Sequence, residues 1–511
     1  MPASHLLGID AGTTGLKAVL ADADGTLLAQ ASREYATRFP QANWAEQDPE
    51  QWWAACCEVA PQVLATAGVS GKDIAAIGVS GQGVGVVPVD ADGAVLRPAI
   101  IWMDRRSDEQ CRALRERVGE KEITRVNGGR IDAFYLAPKW LWVTEHEPEV
   151  YRGTAAVLQA NGYITFRLTG VRCMDLASGP LTLFFDSARL AYSEHLAGPM
   201  GIDLEKMPPL VEGHQVIGQV TREAARATGL AEGTPVVGGA VDGTAAAVEG
   251  GLLADGDAVE MTGQSTVMLI CASRPYLERE LFGLVHGVPG KYLAVGGSTA
   301  AGGSLRWWRD TLADVERERG QQMRCDPFQL LTELAAGSPP GANRLVFLPY
   351  MFGERSPIWD SDARGVFFGL SLSTTKADMV RAILEGAAYG LRHNVEAAGR
   401  AGFAVSSLGC VGGGARSDLW NQIKADVLGR PVRRLRAGTG APMGDIMMAG
   451  VGVGVYRDFA EAMAAVVEVQ REYLPNPANR LIYDDLYGVY LRLYPALREQ
   501  FVELARAGGE R

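Results

Sequence analysis

The sequence predicts an α/β protein built from two domains. Its 511 residues are several times the usual domain size, which favours two separately packed cores. Apolar, strand-like runs alternate with helix-compatible stretches along both halves of the chain. A strand, turn, strand pattern at the N-terminus returns faintly near residue 250, although two unrelated hairpins can match this closely by chance. We therefore expect domains at residues 1–249 and 250–511 that face a cleft.

The composition limits the possible partners. Hydrophobic residues make up 47% and charged residues 21% of the chain, an ordinary globular balance. The formal net charge is -11 and no long basic run is present, so we expect no nucleic-acid partner. An acidic protein that binds a nucleotide must hold the phosphates with local amides, hydroxyls and metal. Glycine-rich turns are therefore the places to look for function.

The cysteines and the N-terminal segment indicate the cellular compartment of the protein. The seven cysteines are an odd number without a CxxC pair, which favours reduced thiols in a cytoplasm. Asp10 interrupts the first apolar run before a signal or membrane span could form. We expect a cytoplasmic protein with no membrane partner. The sequence allows a homodimer but does not fix the oligomeric state.

The N-terminal hairpin contains the first candidate phosphate site. Apolar runs at 5–10 and 16–20 flank a turn with two glycines and two threonines. Glycine lets the backbone approach an anion, successive amides form a nest, and hydroxyls add donors. The candidate contacts are Gly12, Thr13, Thr14 and Lys17, with Asp10 placed to hold magnesium through water. An ordinary Asp-Gly turn explains the motif equally well.

Several common chemistries lack their motifs. The stretch 78–82 approaches a nucleophile elbow, but Gln82 replaces the required second glycine, which disfavours a serine hydrolase. The six histidines lack metal-binding spacing, so no zinc site is predicted. Neither Gly71-Lys72 nor Gly290-Lys291 belongs to a Walker A loop. A phosphate site in this chain must use another architecture.

A carboxylate follows the apolar run 235–241. Asp242 ends this predicted strand and precedes the helix-compatible stretch 244–248. A helix N-cap is the more common role for such an aspartate. The alternative is a general base that accepts a hydroxyl proton as that oxygen attacks a γ-phosphoryl group. A helix N-terminus would keep the carboxylate ionised.

The second half contains further glycine turns. The stretch 259–270 predicts another hairpin, and Gly412-Gly413-Gly414 lies between a predicted strand and the helical pattern 418–423. These glycines could cover a nucleotide, or they could form a helix-entry loop capped by Ser417. The tail after about Asp484 is predicted to be helical up to Pro495.

Taken together and in order, these motifs resemble the FGGY carbohydrate kinases over nearly the whole chain. The most specific stretch is 365–370, followed after seven residues by 378–385, which is similar to the C-terminal signature of that family. A turn and an amphipathic helix explain its apolar spacing but not its occurrence with the other motifs. Residues 347–350 and 353–357 are also similar to the family. The resemblance implies two ribonuclease H-like, actin-like ATPase domains, with ATP and Mg²⁺ as cofactors.

The resemblance also implies roles for individual residues. Asp242 falls at the catalytic aspartate, and Asp10 with Asp242 at the metal. The implied nucleotide contacts are Gly12, Thr13, Thr14, Lys17, Gly263, Gln264, Ser265, Gly302, Gly413, Gly414 and Asp418. The implied sugar contacts are Gln82, Gly83, Val84, Asp104, Phe134 and Gly243. Gln264 departs from the threonine typical of the family, and Ser265 or Thr266 could compensate.

Within the family, residues 80–82, 96–100 and 102–104 look most like xylulokinases. Xylulokinases usually carry Met-His after the glutamine and glycerol kinases Arg-Glu, whereas this chain has Gly83-Val84. A small residue at 83 could widen the pocket or let the backbone bind the sugar. D-xylulose is the expected substrate, and ribulose, erythritol and glycerol are alternatives.

Two other classes compete with a kinase. An actin-like ATPase module shares the phosphate hairpins but not the sugar-side residues, and a non-catalytic sugar sensor is disfavoured by the presence of both Asp10 and Asp242. Trp52, Trp53 and Trp102 could stack on a sugar, but core packing or interface burial is the more common role.

Overall fold

The computed structural model describes residues 4–436 and 438–507. The strands are β1 (His5–Ala11), β2 (Gly15–Asp22), β3 (Leu27–Glu34), β4 (Glu46–Gln47), β5 (Ile74–Gly81), β6 (Val87–Val89), β7 (Ala99–Ile100), β8 (Ala156–Leu158), β9 (Met174–Asp175), β10 (Phe185–Asp186), β11 (Ala191–Tyr192), β12 (Leu210–Val211), β13 (Val216–Gln219), β14 (Pro235–Val237), β15 (Ala240–Val241), β16 (Asp257–Thr262), β17 (Thr266–Ala272), β18 (Phe282–Val285), β19 (Tyr292–Ser298), β20 (Val346–Leu348), β21 (Val366–Phe368), β22 (Ser407–Gly412), β23 (Val432–Leu435) and β24 (Val469–Tyr473).

The α-helices are α1 (Pro49–Ala67), α2 (Asp108–Arg117), α3 (Glu120–Asn127), α4 (Leu136–His146), α5 (Pro148–Gly153), α6 (Ala160–Thr169), α7 (Glu194–Met200), α8 (Arg222–Thr228), α9 (Asp242–Glu249), α10 (Ala301–Leu312), α11 (Asp314–Met323), α12 (Pro327–Ala336), α13 (Lys376–Arg400), α14 (Asp418–Leu428), α15 (Ala441–Gly452), α16 (Phe459–Val466) and α17 (Arg480–Arg506). Short 3-10 helices cover Leu176–Thr182, Leu204–Lys206, Ala342–Arg344, Gly414–Arg416 and Pro477–Asn479. Within the described ranges, no helix combines the length and the apolar character needed to cross a bilayer.

The chain packs as two compact units. The first comprises the chain up to Leu253 together with Cys271–Leu293 and Gly438–Val467. The second comprises Ala254–Ile270, the stretch that begins at Ala294, and the stretch from Glu468 to α17. The units are therefore not the two halves of the sequence, because α15 and α16 pack with the N-terminal portion. The domain limits 1–249 and 250–511 stay a prediction.

The sheet of the first unit brings three strand ends to one edge. β1 pairs antiparallel with β2, and Asp10 lies opposite Lys17, as the hairpin prediction requires. β1 also pairs in parallel with β5, and β15 pairs in parallel with β5 on its other side. The carboxyl ends of β1, β5 and β15 therefore meet, which is where ligands bind in open α/β sheets. α15 packs closely on this sheet, since a Cβ on Gly8 would lie 2.0 Å from the Pro442 carbonyl oxygen.

The predicted strand at 235–241 is divided in the structure. β14 ends at Val237 and β15 begins at Ala240. Gly239 lies between them with φ of 68°, and a Cβ there would lie 1.8 Å from the Val79 carbonyl oxygen. The kink thus depends on glycine, and it turns the chain so that β15 delivers Asp242 to the sheet edge.

The second unit repeats the arrangement with a different sequence. β16 pairs antiparallel with β17, which confirms the hairpin predicted at 259–270. β16 also pairs in parallel with β22, and Thr262 lies opposite Gly412. α14 follows β22 and begins after Ser417, whose side chain accepts a hydrogen bond from the Trp420 amide, as predicted for a cap. A second sheet edge is therefore formed by the ends of β16 and β22.

The prediction that the tail helix ends at Pro495 is wrong. α17 continues through this proline to Arg506. Proline removes one hydrogen bond and usually kinks a helix, but the helix can continue when the residues that follow the proline are packed against the core. Phe501 is 5% exposed and belongs to the same core as Tyr490, so tertiary packing holds the last turns.

Candidate active site

The glycine turn at residues 11–15 in the first unit is called the phosphate turn. Its Gly12 amide donates to the Gly15 carbonyl at 3.1 Å, which closes the turn. The Tyr35 hydroxyl donates to the Gly12 carbonyl. The half-exposed Trp102 donates its indole N–H to Thr13 Oγ1 at 2.8 Å, so this tryptophan lies against the turn and not in the core.

The remaining predicted contacts of the phosphate turn differ in their surroundings. Thr14 is exposed, which leaves its hydroxyl accessible to a ligand. Lys17 lies two residues beyond the turn, and its Nζ donates to the Thr439 carbonyl at 2.7 Å. Lys17 therefore ties β2 to the loop that precedes α15.

A buried amide connects the phosphate turn to the predicted sugar side. Gln47 Nε2 donates to the Thr13 carbonyl at 2.7 Å, and its Oε1 accepts from Gln82 Nε2 at 2.7 Å and from Trp52 Nε1 at 3.1 Å. Gln47 and Gln82 are both 1% exposed. Gln47 was not predicted from the sequence, since it belongs to no chemical motif and gains its role only through these contacts.

Asp10 and Asp242 lie near each other at the sheet edge. Burial, and then the charge of Asp242, raise the pKa of Asp10 to about 7, against a hydrogen bond from Ser80 and the charge of Lys17. Burial raises the pKa of Asp242 to about 6, although its Oδ1 accepts the Gly243 amide at 2.6 Å. The structure therefore brings together the predicted base, the predicted metal ligands and Gly243.

This pair of carboxylates fits a divalent cation. Two nearby like charges raise the pKa of one partner, and a cation would relieve that repulsion. Within residues 4–436 and 438–507, no three His, Cys, Asp or Glu side chains form a metal-binding group. A cation here would take its other ligands from water and phosphate, which suits magnesium.

Both carboxylate oxygens of Asp104 accept hydrogen bonds from groups within the protein. Its carboxylate is buried and accepts from the Ala45 amide at 2.6 Å and from both the backbone and the guanidinium of Arg106. The Arg106 guanidinium in turn lies 3.7 Å from the centre of the Trp44 ring. Asp104 thus has a clear structural role, and its predicted contact with the sugar stays a prediction.

Gly83 and Val84 do not widen a pocket. A Cβ on Gly83 would lie 2.8 Å from Val241 Cγ2 and 2.9 Å from Leu181 Cδ1, so that side is already filled. The Val84 side chain is completely buried. The expectation of a wider pocket is therefore wrong, because the side-chain direction at 83 opens onto packed residues. The alternative, in which the backbone binds the sugar, stays open.

Phe134 lies beside an unexpected buried lysine. Lys139 is 0% exposed, and its Nζ donates to the Phe134 carbonyl at 2.6 Å and to the Val84 carbonyl at 3.1 Å. Burial lowers the pKa of Lys139 to about 7, against the charges of Asp104 and Asp132. Lys139 was not predicted from the sequence, although a single lysine inside the apolar run 136–143 is a signal that could have identified it.

In the second unit, the turn at residues 263–265 rests on glycine backbone. The Gly263 amide donates to the Ser265 carbonyl at 2.9 Å, and the Gly303 amide donates to the Gln264 carbonyl at 2.8 Å. A Cβ on Gly302 would lie 1.9 Å from the Gly263 carbonyl oxygen. The N-terminus of α10 therefore lies directly against this turn, as two of the predicted nucleotide motifs require.

The third glycine motif reaches the same sheet edge. A Cβ on Gly414 would lie 2.8 Å from the Thr262 Cβ, so Gly413-Gly414 passes over the end of β16. Asp418 is exposed and points elsewhere: it accepts from the Tyr473 hydroxyl at 2.5 Å and pairs with Arg471. The structure thus gathers Gly263, Gln264, Gly302 and Gly414, and it leaves Asp418 on an ion-paired surface.

A buried ion pair joins α14 to β16 near the sheet edge of the second unit. Lys424 on α14 pairs with Glu260 on β16, and both side chains are almost completely buried. The other oxygen of Glu260 accepts from Thr262 Oγ1 at 2.5 Å. The pair fixes the end of β16 to α14, and it was not predicted from the sequence.

Comparison with known families decides between a kinase and a nucleotide-driven module. Residues 5–249 match the N-terminal domain of the FGGY family of carbohydrate kinases, and residues 258–453 match its C-terminal domain. The chain belongs to this family. This FGGY kinase is therefore an ATP-dependent carbohydrate kinase, and the actin-like ATPase module without sugar chemistry is excluded.

Relatives of this FGGY kinase act on more than one substrate. It is 33% identical over 494 residues to the xylulose kinase of Bacillus subtilis (strain 168), which covers 96% of each chain. It is 27% identical over 504 residues to a gluconokinase of the same organism, covering 98% of each chain. The crystal structure of xylulose kinase from Rhodospirillum rubrum matches with a TM-score of 0.90 at 34% identity, over 97% of this chain and 99% of that one. These matches confirm the predicted α/β fold with two actin-like domains.

Proposed function

We propose that this FGGY kinase transfers the γ-phosphoryl group of ATP to D-xylulose, giving D-xylulose 5-phosphate. The observation that carries the proposal is the meeting of Asp10, Gln82 and Asp242 at the carboxyl ends of β1, β5 and β15. The xylulose kinases among its relatives and the xylulokinase-like residues at 80–82, 96–100 and 102–104 support this choice of sugar.

Asp242 is the proposed general base. Its Oδ1 accepts the Gly243 amide, which leaves Oδ2 to accept the proton of the attacking hydroxyl. A pKa of about 6 leaves the carboxylate ionised at neutral pH and a better proton acceptor than an ordinary aspartate. The sugar oxygen then attacks the γ-phosphorus, the bond to the β-phosphate oxygen breaks, and ADP leaves.

The proposed cofactors are ATP and Mg²⁺. Asp10 and Asp242 would hold the ion, which neutralises charge on the transferred phosphoryl group when bound. The backbone of the phosphate turn and the Thr14 hydroxyl would bind phosphate oxygens. In the second unit, the turn at 263–265 and the N-terminus of α10 would bind further parts of the nucleotide.

A sugar panel tests the proposed substrate. ADP release is measured with D-xylulose, D-ribulose, erythritol, glycerol and D-gluconate at matched concentrations. We expect the highest kcat/KM with D-xylulose, exceeding the other panel members by about tenfold or more. A higher kcat/KM with any other sugar of the panel contradicts the proposal and identifies that sugar as the better substrate.

We also infer a cytoplasmic enzyme from the odd number of cysteines without a CxxC pair. A homodimer is the assembly to test by light scattering, and a monomeric mass would contradict it.

A further inference from the structure

Val84 has a backbone conformation that is rare for its residue type. Its φ is 62°, in the left-handed region that β-branched residues almost never adopt. Such a conformation is energetically unfavourable and persists only where the surroundings impose it. The side chain is 0% exposed, so the strain lies in a packed region and not in a surface loop.

Two buried side chains impose this conformation. The Val84 amide donates to Gln159 Oε1 at 3.1 Å, and the Val84 carbonyl accepts from Lys139 Nζ at 3.1 Å. Gln159 precedes α6 and Lys139 belongs to α4, and they are 2% and 0% exposed. Both backbone polar groups of the strained residue are therefore held from separate elements.

Lys139 makes a second connection. Its Nζ also donates to the Phe134 carbonyl at 2.6 Å, so one amino group joins the segment at 82–84 to the segment at 134. Burying the amino group of a lysine away from water is unfavourable, and a methionine would fill a similar volume without that cost. What lysine adds at this position is the pair of hydrogen bonds to the two carbonyls.

The hydrogen bonds that Gln159 and Lys139 make with the Val84 backbone are called the clamp. The clamp also orients the peptide group that precedes Val84. In a trans peptide the N–H and the C=O point in opposite directions. Because Gln159 holds the Val84 N–H, the Gly83 carbonyl is turned away from Gln159. Gly83 is only partly buried and has no side chain, so residue 83 can offer a ligand only its backbone groups, and the hydrogen bond from Val84 to Gln159 sets the direction of its carbonyl.

We propose that Lys139, together with Gln159, is a positioning residue of the sugar site. The two side chains hold Val84 in its strained conformation, fix the Gly83 carbonyl as an acceptor for a sugar hydroxyl, and set Phe134 beside it. The inference rests on the proposed function in that it takes 82–84 and Phe134 as part of the sugar site. It deepens that function by assigning recognition at 83 to the backbone.

The first test removes the clamp. Lys139→Met keeps the bulk of the side chain and removes both hydrogen bonds. We expect the KM for the sugar to rise about tenfold or more and the KM for ATP to change less than about twofold, because Lys139 donates to sugar-side carbonyls. A folded variant with an unchanged KM for the sugar overturns the proposal, and thermal melting verifies folding.

The second test separates clamping from simple packing. In the Lys139→Met background, Val84→Gly removes the strain because glycine adopts positive φ without penalty, whereas Val84→Ala keeps a Cβ. We expect Val84→Gly to recover about threefold or more of the lost sugar affinity and Val84→Ala to recover none. Equal effects of the two substitutions would show a packing role and overturn the proposal.

A further variant covers a folding failure. If Lys139→Met does not fold, Gln159→Leu carries the same test, since Gln159 holds the other side of Val84. It should raise the KM for the sugar in the same way, and an unchanged KM counts against the clamp.

The two proposals fail separately in these experiments. All constants are measured with the panel sugar that the wild-type enzyme phosphorylates best. If that sugar is not D-xylulose, the proposed function fails while the variant ratios still test the clamp. If D-xylulose is phosphorylated but the variants keep the wild-type KM, only the positioning role fails.

Discussion

At the scale of single residues, the proposed chemistry depends on the carboxylate of Asp242. Asp242→Asn keeps the shape of the side chain but cannot accept the hydroxyl proton at Oδ2. We expect sugar-dependent ADP release to fall by about a hundredfold or more, because general bases contribute on this order. Nucleotide binding, measured by calorimetry, should persist. Asp24→Asn, an exposed aspartate of the same unit, is the matched control, and near-normal turnover by Asp242→Asn would remove the base assignment.

The raised pKa of Asp242 predicts a pH dependence with a defined sign. The base must be ionised, so kcat/KM for the sugar should fall as the pH drops through about 6. A pKa raised from 3.8 means that the native state binds this proton more tightly than the unfolded state does. The ionised group therefore destabilises the fold above about pH 6 and has no such effect below about pH 4.

Two measurements check this sign. A pH-rate profile should show the acidic limb, and calorimetry should show that Asp242→Asn melts higher than wild type near pH 8 but not near pH 4. An activity that stays flat down to about pH 5 contradicts the first part. A lower melting temperature of Asp242→Asn near pH 8 contradicts the second.

At the scale of elements, the end of β5 must lie close to β15. Gly83→Ala would place a Cβ 2.8 Å from Val241 Cγ2, next to the base. We expect the variant to lose about 1–3 kcal/mol of stability and to show a reduced kcat, since overpacking displaces the strand that carries Asp242. Gly85→Ala is the control, because its Cβ has no neighbour nearer than 4.0 Å. Unchanged stability and kcat in Gly83→Ala would mean that the contact is readily relieved.

Elements with local signals could be predicted from the sequence, and contacts between distant segments could not. The hairpin at Asp10 and the helix after Asp242 follow from apolar runs, glycine turns and small residues. The contacts of Gln47 with Thr13 and of Lys139 with Val84 could not be predicted, because these partners lie 34 and 55 residues away and only the folded chain brings them together. The split after Val237 was missed for the same reason, since it depends on a close approach to Val79.

At the scale of the whole molecule, the two units share one design. In each, an antiparallel hairpin with a glycine turn pairs its first strand in parallel with a later strand: β1 with β2 and β5, and β16 with β17 and β22. The faint repeat near residue 250 is therefore a repeat of topology, which the actin-like fold of the family explains. Each unit supplies a glycine turn at a sheet edge, where backbone amides can bind phosphate.

The nucleotide contacts proposed in the second unit predict that a substitution there affects the binding of ATP and not that of the sugar. Gly302→Ala would place a Cβ 1.9 Å from the Gly263 carbonyl oxygen. Because this oxygen belongs to the backbone, no change of side-chain rotamer relieves the clash, and the turn at 263–265 must move. We expect the KM for ATP to rise about tenfold or more while the KM for the sugar stays within about twofold. Gly399→Ala in α13 has open space around its Cβ and should leave both constants unchanged with a small gain in stability. A folded Gly302→Ala enzyme with an unchanged KM for ATP, or with its defect in the KM for the sugar, would show that this turn does not bind the nucleotide.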